Sequence, residues 1–356
     1  MNFDLTDDQQ AIKRTARDFL ASRYKLEEVR RLALDEPQGF TDDQWREIAE
    51  LGWPGVVISE EHGGLGLGVV ELVVIQEELG YALAPTPFLS TVAAGALLSA
   101  AGETERLAGL ATGEARGTVA QWDEDGGHAP DAPTLQADGD RLTGVKIAVP
   151  DAGSADFLVV TAAPGGHFLV EAGAEGLTIE QAEGLDPTRK LFTVRLDGVQ
   201  GKELAGDEQA FAHAWHVIAT ALAAESVGVA RRTMDMAVEY AKDRQQFGRP
   251  IGAYQAVSHR CAQMLLEVEG AQSLCLYAGW ALDHEPESGA LAASMAKAYA
   301  SDCGWRVPAS SLQVHGGIGF TWEHDLHFFL KRGKANAHAF GDARWHRERV
   351  AELAGV

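Results

Sequence analysis

The chain is poor in cysteine, in positive charge and in long apolar runs, and each shortage removes a class of protein. Three cysteines, Cys261, Cys275 and Cys303, are an odd number with no Cys-x-x-Cys spacing, so a disulfide framework is excluded and reduced thiols in a reducing compartment are expected. The start, Met1 to Leu5, has neither a basic cluster nor an apolar run, which argues against a secretory signal. No apolar stretch approaches the ~20 residues that span a bilayer. With 30 basic against 52 acidic residues the formal net charge is -22, and such a surface repels nucleic-acid phosphates and anionic membranes. A cytoplasmic protein without nucleic-acid or membrane partners is the expectation.

Several catalytic signatures are also missing. There is no Gly-x-Ser-x-Gly elbow for a nucleophilic hydrolase. His213-x-x-His216 and His324-x-x-His327 come without cysteines or a His-Glu-x-x-His pattern, so no metal site is expected. The glycines at 63, 64, 66 and 68 lack the third glycine of a dinucleotide loop and any βαβ alternation around them, and read as an irregular link.

What is present is a chain of three characters. Residues 1–115 read as helices: Thr6 with Gln9 and Thr41 with Gln44 have the capping-box spacing that marks a helix start. Helices are expected over Val69 to Leu83 and Ser90 to Leu110. Residues 116–205 change to short β-type runs, at Thr118 to Ala120, Arg141 to Val149, Phe157 to Val160, His167 to Val170 and Phe192 to Leu196. Asp138-Gly139-Asp140 and Ala163-Pro164-Gly165-Gly166 are the turns between them, and an antiparallel β domain is expected. Residues 206–356 return to long helices, over Ala210 to Asp243, Tyr254 to Leu282, and Ala290 to Val307 with a stop at Pro308. The fold class is therefore α+β, with an N-terminal helical domain, a middle β domain and a C-terminal helical bundle.

Four stretches carry more specific text: the opening Phe3-Asp4-Leu5-Thr6; Glu60-Glu61-His62-Gly63-Gly64-Leu65-Gly66; Arg244-x-x-Phe247-Gly248-x-Pro250-Ile251-Gly252-x-Tyr254-Gln255; and Gln313-Val314-His315-Gly316-Gly317-Ile318-Gly319-Phe320. In this order the sequence resembles the acyl-CoA dehydrogenase family over essentially its whole length. The resemblance implies a flavoprotein that binds FAD across a subunit interface. It removes the α-proton of an acyl-CoA thioester with a carboxylate base while a hydride leaves the β-carbon, and it passes electrons to an electron-transfer flavoprotein. Arg244, Gln246, Phe247, Ile251, Tyr254, Gln255, Gln313, Gly316 and Gly317 are the implied cofactor contacts. A guanidinium suits a pyrophosphate, and glycines allow backbone to approach it.

Against the same pattern two pieces are replaced. The family's Thr-Glu-Pro-x-Ala-Gly-Ser-Asp segment corresponds to Gln121-Trp122-Asp123-Glu124-Asp125-Gly126-Gly127-His128, and its Trp-Ile-Thr to Ile147-Ala148-Val149-Pro150. Counting from Lys331-Arg332 puts Gly341 where the base belongs, which leaves Asp342 and Glu225 as candidate carboxylates; a second family location for the base falls at Ile218. The retained residues serve the adenine and pyrophosphate of an FAD seated in a neighbour, and the replaced ones serve the chain's own flavin ring and substrate. The resemblance is thus to the subunit of an actinobacterial heteromeric acyl-CoA dehydrogenase that lacks the catalytic residues, acting in fatty acid or steroid breakdown with a homologous partner in a heterotetramer. A self-sufficient homo-oligomeric dehydrogenase with an atypical base, and a non-catalytic assembly or CoA-ligand-binding protein without FAD, are the alternatives.

Overall fold

The computed structural model describes residues 4–124 and 132–356; Phe3 and the Asp125-Gly126-Gly127-His128 text lie outside them. Six helices come first: α1 (Asp7–Arg23), α2 (Leu26–Asp35), α3 (Asp42–Glu50), α4 (Val69–Ala82), α5 (Phe88–Ala100) and α6 (Leu107–Ala111). Eight strands follow: β1 (Gly117–Ala120), β2 (Gln136–Asp138), β3 (Arg141–Pro150), β4 (Phe157–Ala162), β5 (Gly166–Glu171), β6 (Leu177–Ala182), β7 (Leu191–Gln200) and β8 (Lys202–Glu203). The chain then runs through α7 (Glu208–Asp243), the two-residue strands β9 (Gln245–Gln246) and β10 (Arg249–Pro250), α8 (Gln255–His284), α9 (Pro286–His315), α10 (Leu326–His338) and α11 (Ala343–Ala354). Both expected capping boxes form, Thr6 with Gln9 and Thr41 with Gln44. Each satisfies two backbone N–H groups that a helix start would leave open.

Two compact units result. One comprises Met1–Arg30, Val73–Ala84 and Thr220–Val356. Its core is alanine-rich, with Ala223, Ala230, Ala271, Ala278, Ala296 and Ala300 buried beside Val268 and Met264. Small residues let its helices approach closely. A Cβ on Gly80 of α4 would lie 2.1 Å from the Glu225 carbonyl oxygen of α7, and one on Gly228 would lie 1.9 Å from that of Glu77. These contacts admit glycine only.

Pro308 does not end its helix: α9 continues through it to His315. Proline cannot donate to the carbonyl four residues back, Gly304. That oxygen is covered by α10, where a Cβ on Gly333 would sit 1.8 Å from it. The Cα of Gly333 therefore packs against an acceptor that the proline has released, a contact of the weak C–H···O kind. The pairing of a proline with a glycine 25 positions away carries no local signal.

The other unit comprises Arg31–Leu72 and Pro85–Ala219. It holds two four-stranded sheets, ordered β1-β4-β5-β8 and β2-β3-β7-β6. The expected antiparallel arrangement holds except at one ladder: β1 pairs with β4 in parallel, Gly117 opposite Phe157. A parallel pair needs a long crossover, here supplied by the chain that contains β2 and β3, and short strand runs do not reveal it. The expected helix from Ser90 to Leu110 is broken between α5 and α6, where Gly102 takes φ +67°. The glycine link before α4 is an irregular turn. Gly63 and Gly66 take positive φ, and a Cβ on Gly64 would lie 2.1 Å from the Ile58 carbonyl oxygen. No helix among the described residues is long and apolar enough to cross a membrane.

Candidate functional site

Two of the singled-out stretches meet at one end of the helical unit. α7 ends in Arg244, whose N–H donates to the Tyr240 carbonyl (2.8 Å) and whose carbonyl accepts from Ile251 (2.8 Å). Between these bonds β9 and β10 form a minimal hairpin, Gln246 opposite Arg249. Its two central residues, Phe247 and Gly248, take φ of +53° and +80°. Positive φ at both is what a two-residue hairpin of the favoured twist demands, and at Phe247, which has a Cβ, it costs about 1 kcal/mol. The strained phenyl ring is also 94% exposed. The ring meets that of Tyr254 edge-on, with centroids 6.5 Å apart.

The surrounding groups are ordered but open. The Tyr254 hydroxyl donates to the Gln246 carbonyl (3.1 Å), and the Arg249 guanidinium lies over the Tyr254 ring at 4.1 Å. Arg244, Gln246, Gln255 and Gln313 are exposed, whereas Ile251 is half-buried and packs against the helical core. The second stretch is brought alongside by Tyr240, which stacks on His315 at 4.6 Å. The imidazole of His315 is bonded to the Ser311 carbonyl (2.9 Å), and burial lowers its pKa against that bond. Gly316 takes φ +64°, and a Cβ on either Gly316 or Gly317 would meet no atom within 4 Å. The chain's own packing therefore does not require glycine at 317.

The candidate bases have other tasks. Glu225 is buried in α7 with its carboxylate against Arg332 Nη1 (2.5 Å) and Asn336 Nδ2 (3.3 Å) of α10. Asp342 is the N-cap of α11, accepting from the Trp345 N–H at 2.8 Å. Gly341 takes φ +92°, and a Cβ there would lie 2.9 Å from both His346 and Trp345. A side chain at this position would thus be strained in its backbone and would have to displace the rings behind it. Ile218, the second expected location, is fully buried and apolar. Beneath the turn lies Lys297, which sequence reasoning missed. It is buried in α9 and donates to Ser301 Oγ (2.9 Å), the Asn336 carbonyl (3.1 Å) and the Gly341 carbonyl (2.9 Å). Burial pulls its pKa down to about 7.

Family models for the acyl-CoA dehydrogenase N-terminal and C-terminal domains match residues 6–118 and 211–354. The acyl-CoA dehydrogenase IpdE2 of Mycolicibacterium smegmatis is 32% identical over 93% of this chain and 94% of its own. The chain belongs to the acyl-CoA dehydrogenase family. Acyl-CoA dehydrogenase FadE34 of Mycobacterium tuberculosis is 34% identical over 99% of this chain, which spans 49% of that longer protein. Among solved structures, the Tcur3481–Tcur3483 steroid ACAD is similar at 32% identity and TM-score 0.89, with 98% of each chain covered. The ChsE4–ChsE5 complex from Mycobacterium tuberculosis is similar at 27% identity and TM-score 0.90, over 100% of this chain and 99% of that one.

The described part of the segment that departs from the acyl-CoA dehydrogenase pattern, Gln121 to Glu124, is held by buried contacts. Asp123 is ion-paired with Lys146 at 2.7 Å, both buried, and its oxygens accept from the Thr134 and Leu135 N–H groups. Lys146 also donates to the Gln121 carbonyl (2.9 Å) and to Thr161 Oγ1 (3.0 Å). The Trp122 carbonyl accepts from Ile147 (2.8 Å), which ties the two replaced family segments together. This pairing, like Glu225 with Arg332, joins residues far apart in sequence. Neither pair forms a recognisable motif. In the second His-x-x-His text, His324 Nδ1 accepts from the Leu326 N–H, while His327 stacks on Trp322.

Proposed function

We propose that this chain is a subunit of an FAD-dependent acyl-CoA dehydrogenase, lending the adenine and pyrophosphate half of an FAD site to a partner chain that supplies the base. One contrast carries the reading. Every carboxylate near the expected base positions is engaged in holding the fold, while Arg244, Phe247, Gln255 and Gln313 stand exposed on one end of the helical unit. The residues fit the cofactor they would hold. Arg244 offers a guanidinium with no carboxylate inside ion-pairing distance among the described residues, suited to two phosphate oxygens. Gly316 and Gly317 leave the backbone accessible, and Phe247 offers a flat apolar face. When bound, FAD supplies the hydride acceptor for α,β-dehydrogenation of an acyl-CoA thioester, and an electron-transfer flavoprotein is the natural oxidant.

The role of this chain in the reaction is then to bind and orient. Gln246 and Gln255 offer amide donors and acceptors to the nucleotide, and Tyr254 fixes the hairpin that presents Phe247. Removal of the α-proton belongs to the partner, because a base needs hydrogen-bonding reach to its substrate. The two similar structures, a steroid ACAD and the two-component ChsE4–ChsE5 complex, support a heteromeric assembly acting on a steroid acyl-CoA thioester. Reconstitution with a homologous partner chain, with flavin content and turnover as readouts, tests this reading.

A further inference from the structure

A cavity of about 630 Å³ in the helical unit lies among α1, the Tyr24–Glu27 corner, α4, α7 and Asp325. Its charged groups divide into committed and uncommitted ones. Arg17 is bound to Glu78 through Nε and Nη2, and Arg30 holds Asp325 through Nε (3.0 Å) and Nη2 (2.7 Å). Arg232 and Lys25 have no carboxylate within 4.0 Å among the described residues. The Arg232 guanidinium reaches the Tyr81 hydroxyl at 3.5 Å, the outer limit of a hydrogen bond. Its neighbour Arg231 shows the contrast, paired with both Glu77 and Glu269.

The aromatic wall is fixed in place. The Tyr81 hydroxyl donates to Asp235 (3.0 Å), and the Arg17 and Arg232 guanidinium carbons lie 3.8 Å and 5.3 Å from its ring centre. Arg232 and Lys25 are thus the cations of the lining that no ion pair holds among the described residues, beside the carboxylates of Glu27, Glu78 and Asp325. A guanidinium fork and an ammonium together offer more donors than one carboxylate can accept, but suit a phosphate with its three terminal oxygens. The volume lies within the ~300–1,000 Å³ of small-ligand pockets.

We propose that this cavity binds a small organic phosphate of nucleotide size, its phosphate held by Arg232 and Lys25 and its body against Tyr81. Glu27 also lines the cavity. Its charge opposes an anion and sets a limit on affinity.

Isothermal titration of the full chain with ADP, with inorganic phosphate as the size control, tests this. ADP is expected to bind with one-to-one stoichiometry and at least ~10-fold more tightly than phosphate. Arg232→Gln and Lys25→Gln should each weaken it ~10-fold or more, a single lost charge-assisted contact being of that size, and Glu27→Gln should tighten it. Thermal melts of each variant confirm folding. Because ADP resembles part of FAD, Arg244→Ala is the discriminating control and should leave this binding unchanged. Loss of ADP binding in Arg244→Ala with retention in Arg232→Gln would overturn the proposal, as would equal affinity for ADP and phosphate or no binding at all.

Discussion

Glu225 and Arg332, 107 residues apart in the chain, meet as a buried ion pair where α7 and α10 pack, with Asn336 completing the carboxylate's contacts. The pair commits the Glu225 carboxylate to holding α7 against α10. Removing either partner strands the other charge in the core, an effect that typically costs 3–5 kcal/mol. Glu225→Ala should therefore lower unfolding stability by about 3–5 kcal/mol in a urea titration. Turnover per folded complex should not change; a selective loss of turnover at full stability would restore Glu225 as a base.

Asp342 invites a similar test with a smaller effect. Its carboxylate caps α11, so Asp342→Ala should cost about 1 kcal/mol, and Asp342→Ser, which keeps an acceptor oxygen, much less. Activity in the assembled enzyme should be the same for both. Loss of turnover in Asp342→Ser would contradict this.

The acid limb of stability should depend on His167. Burial holds its imidazole down to about 4, and Nε2 accepts from Trp215 Nε1 (3.2 Å) while the ring stacks on Phe211 at 4.1 Å. The unfolded chain takes up its proton near pH 6.5 and the native one only near 4. Stability is then complete above pH 6.5 and declines as pH falls towards 4, by on the order of 3 kcal/mol for this residue. His216, lowered to about 4 chiefly by burial, has the same sign. Chemical denaturation across pH 4–7 should show a shallower acid limb for His167→Phe than for the parent chain.

Much of this molecule was legible locally. The Thr6 and Thr41 capping boxes, the span of α7 and the turns at Gly139 and Gly165 follow from spacing and residue type. The resemblance in the Arg244 and Gln313 stretches led to the family. What could not be read depends on partners distant in sequence. Pro308 looked like a helix stop because Gly333 carries no sign that it will cover the released Gly304 carbonyl. The parallel β1–β4 pair and the buried Lys146–Asp123 pair are likewise properties of tertiary contact. The pairing of Glu225 with Arg332, 107 residues away, is of the same kind.

Gly317 separates a cofactor role from a structural one. A Cβ there meets nothing in the chain itself, so Gly317→Val should leave the stability of the isolated protein within about 0.5 kcal/mol, as for an ordinary surface change. In the assembled enzyme it should reduce FAD retention. Unchanged flavin content would remove Gly317 from the site.

The most direct measurement is the flavin content and acyl-CoA-dependent turnover of the purified chain, alone and co-purified with its homologous partner. A dehydrogenase subunit without its own base should show little turnover alone, and FAD and turnover should appear together in the complex. An isolated chain that holds one FAD per subunit and turns over as fast as the complex would contradict the proposed division of labour.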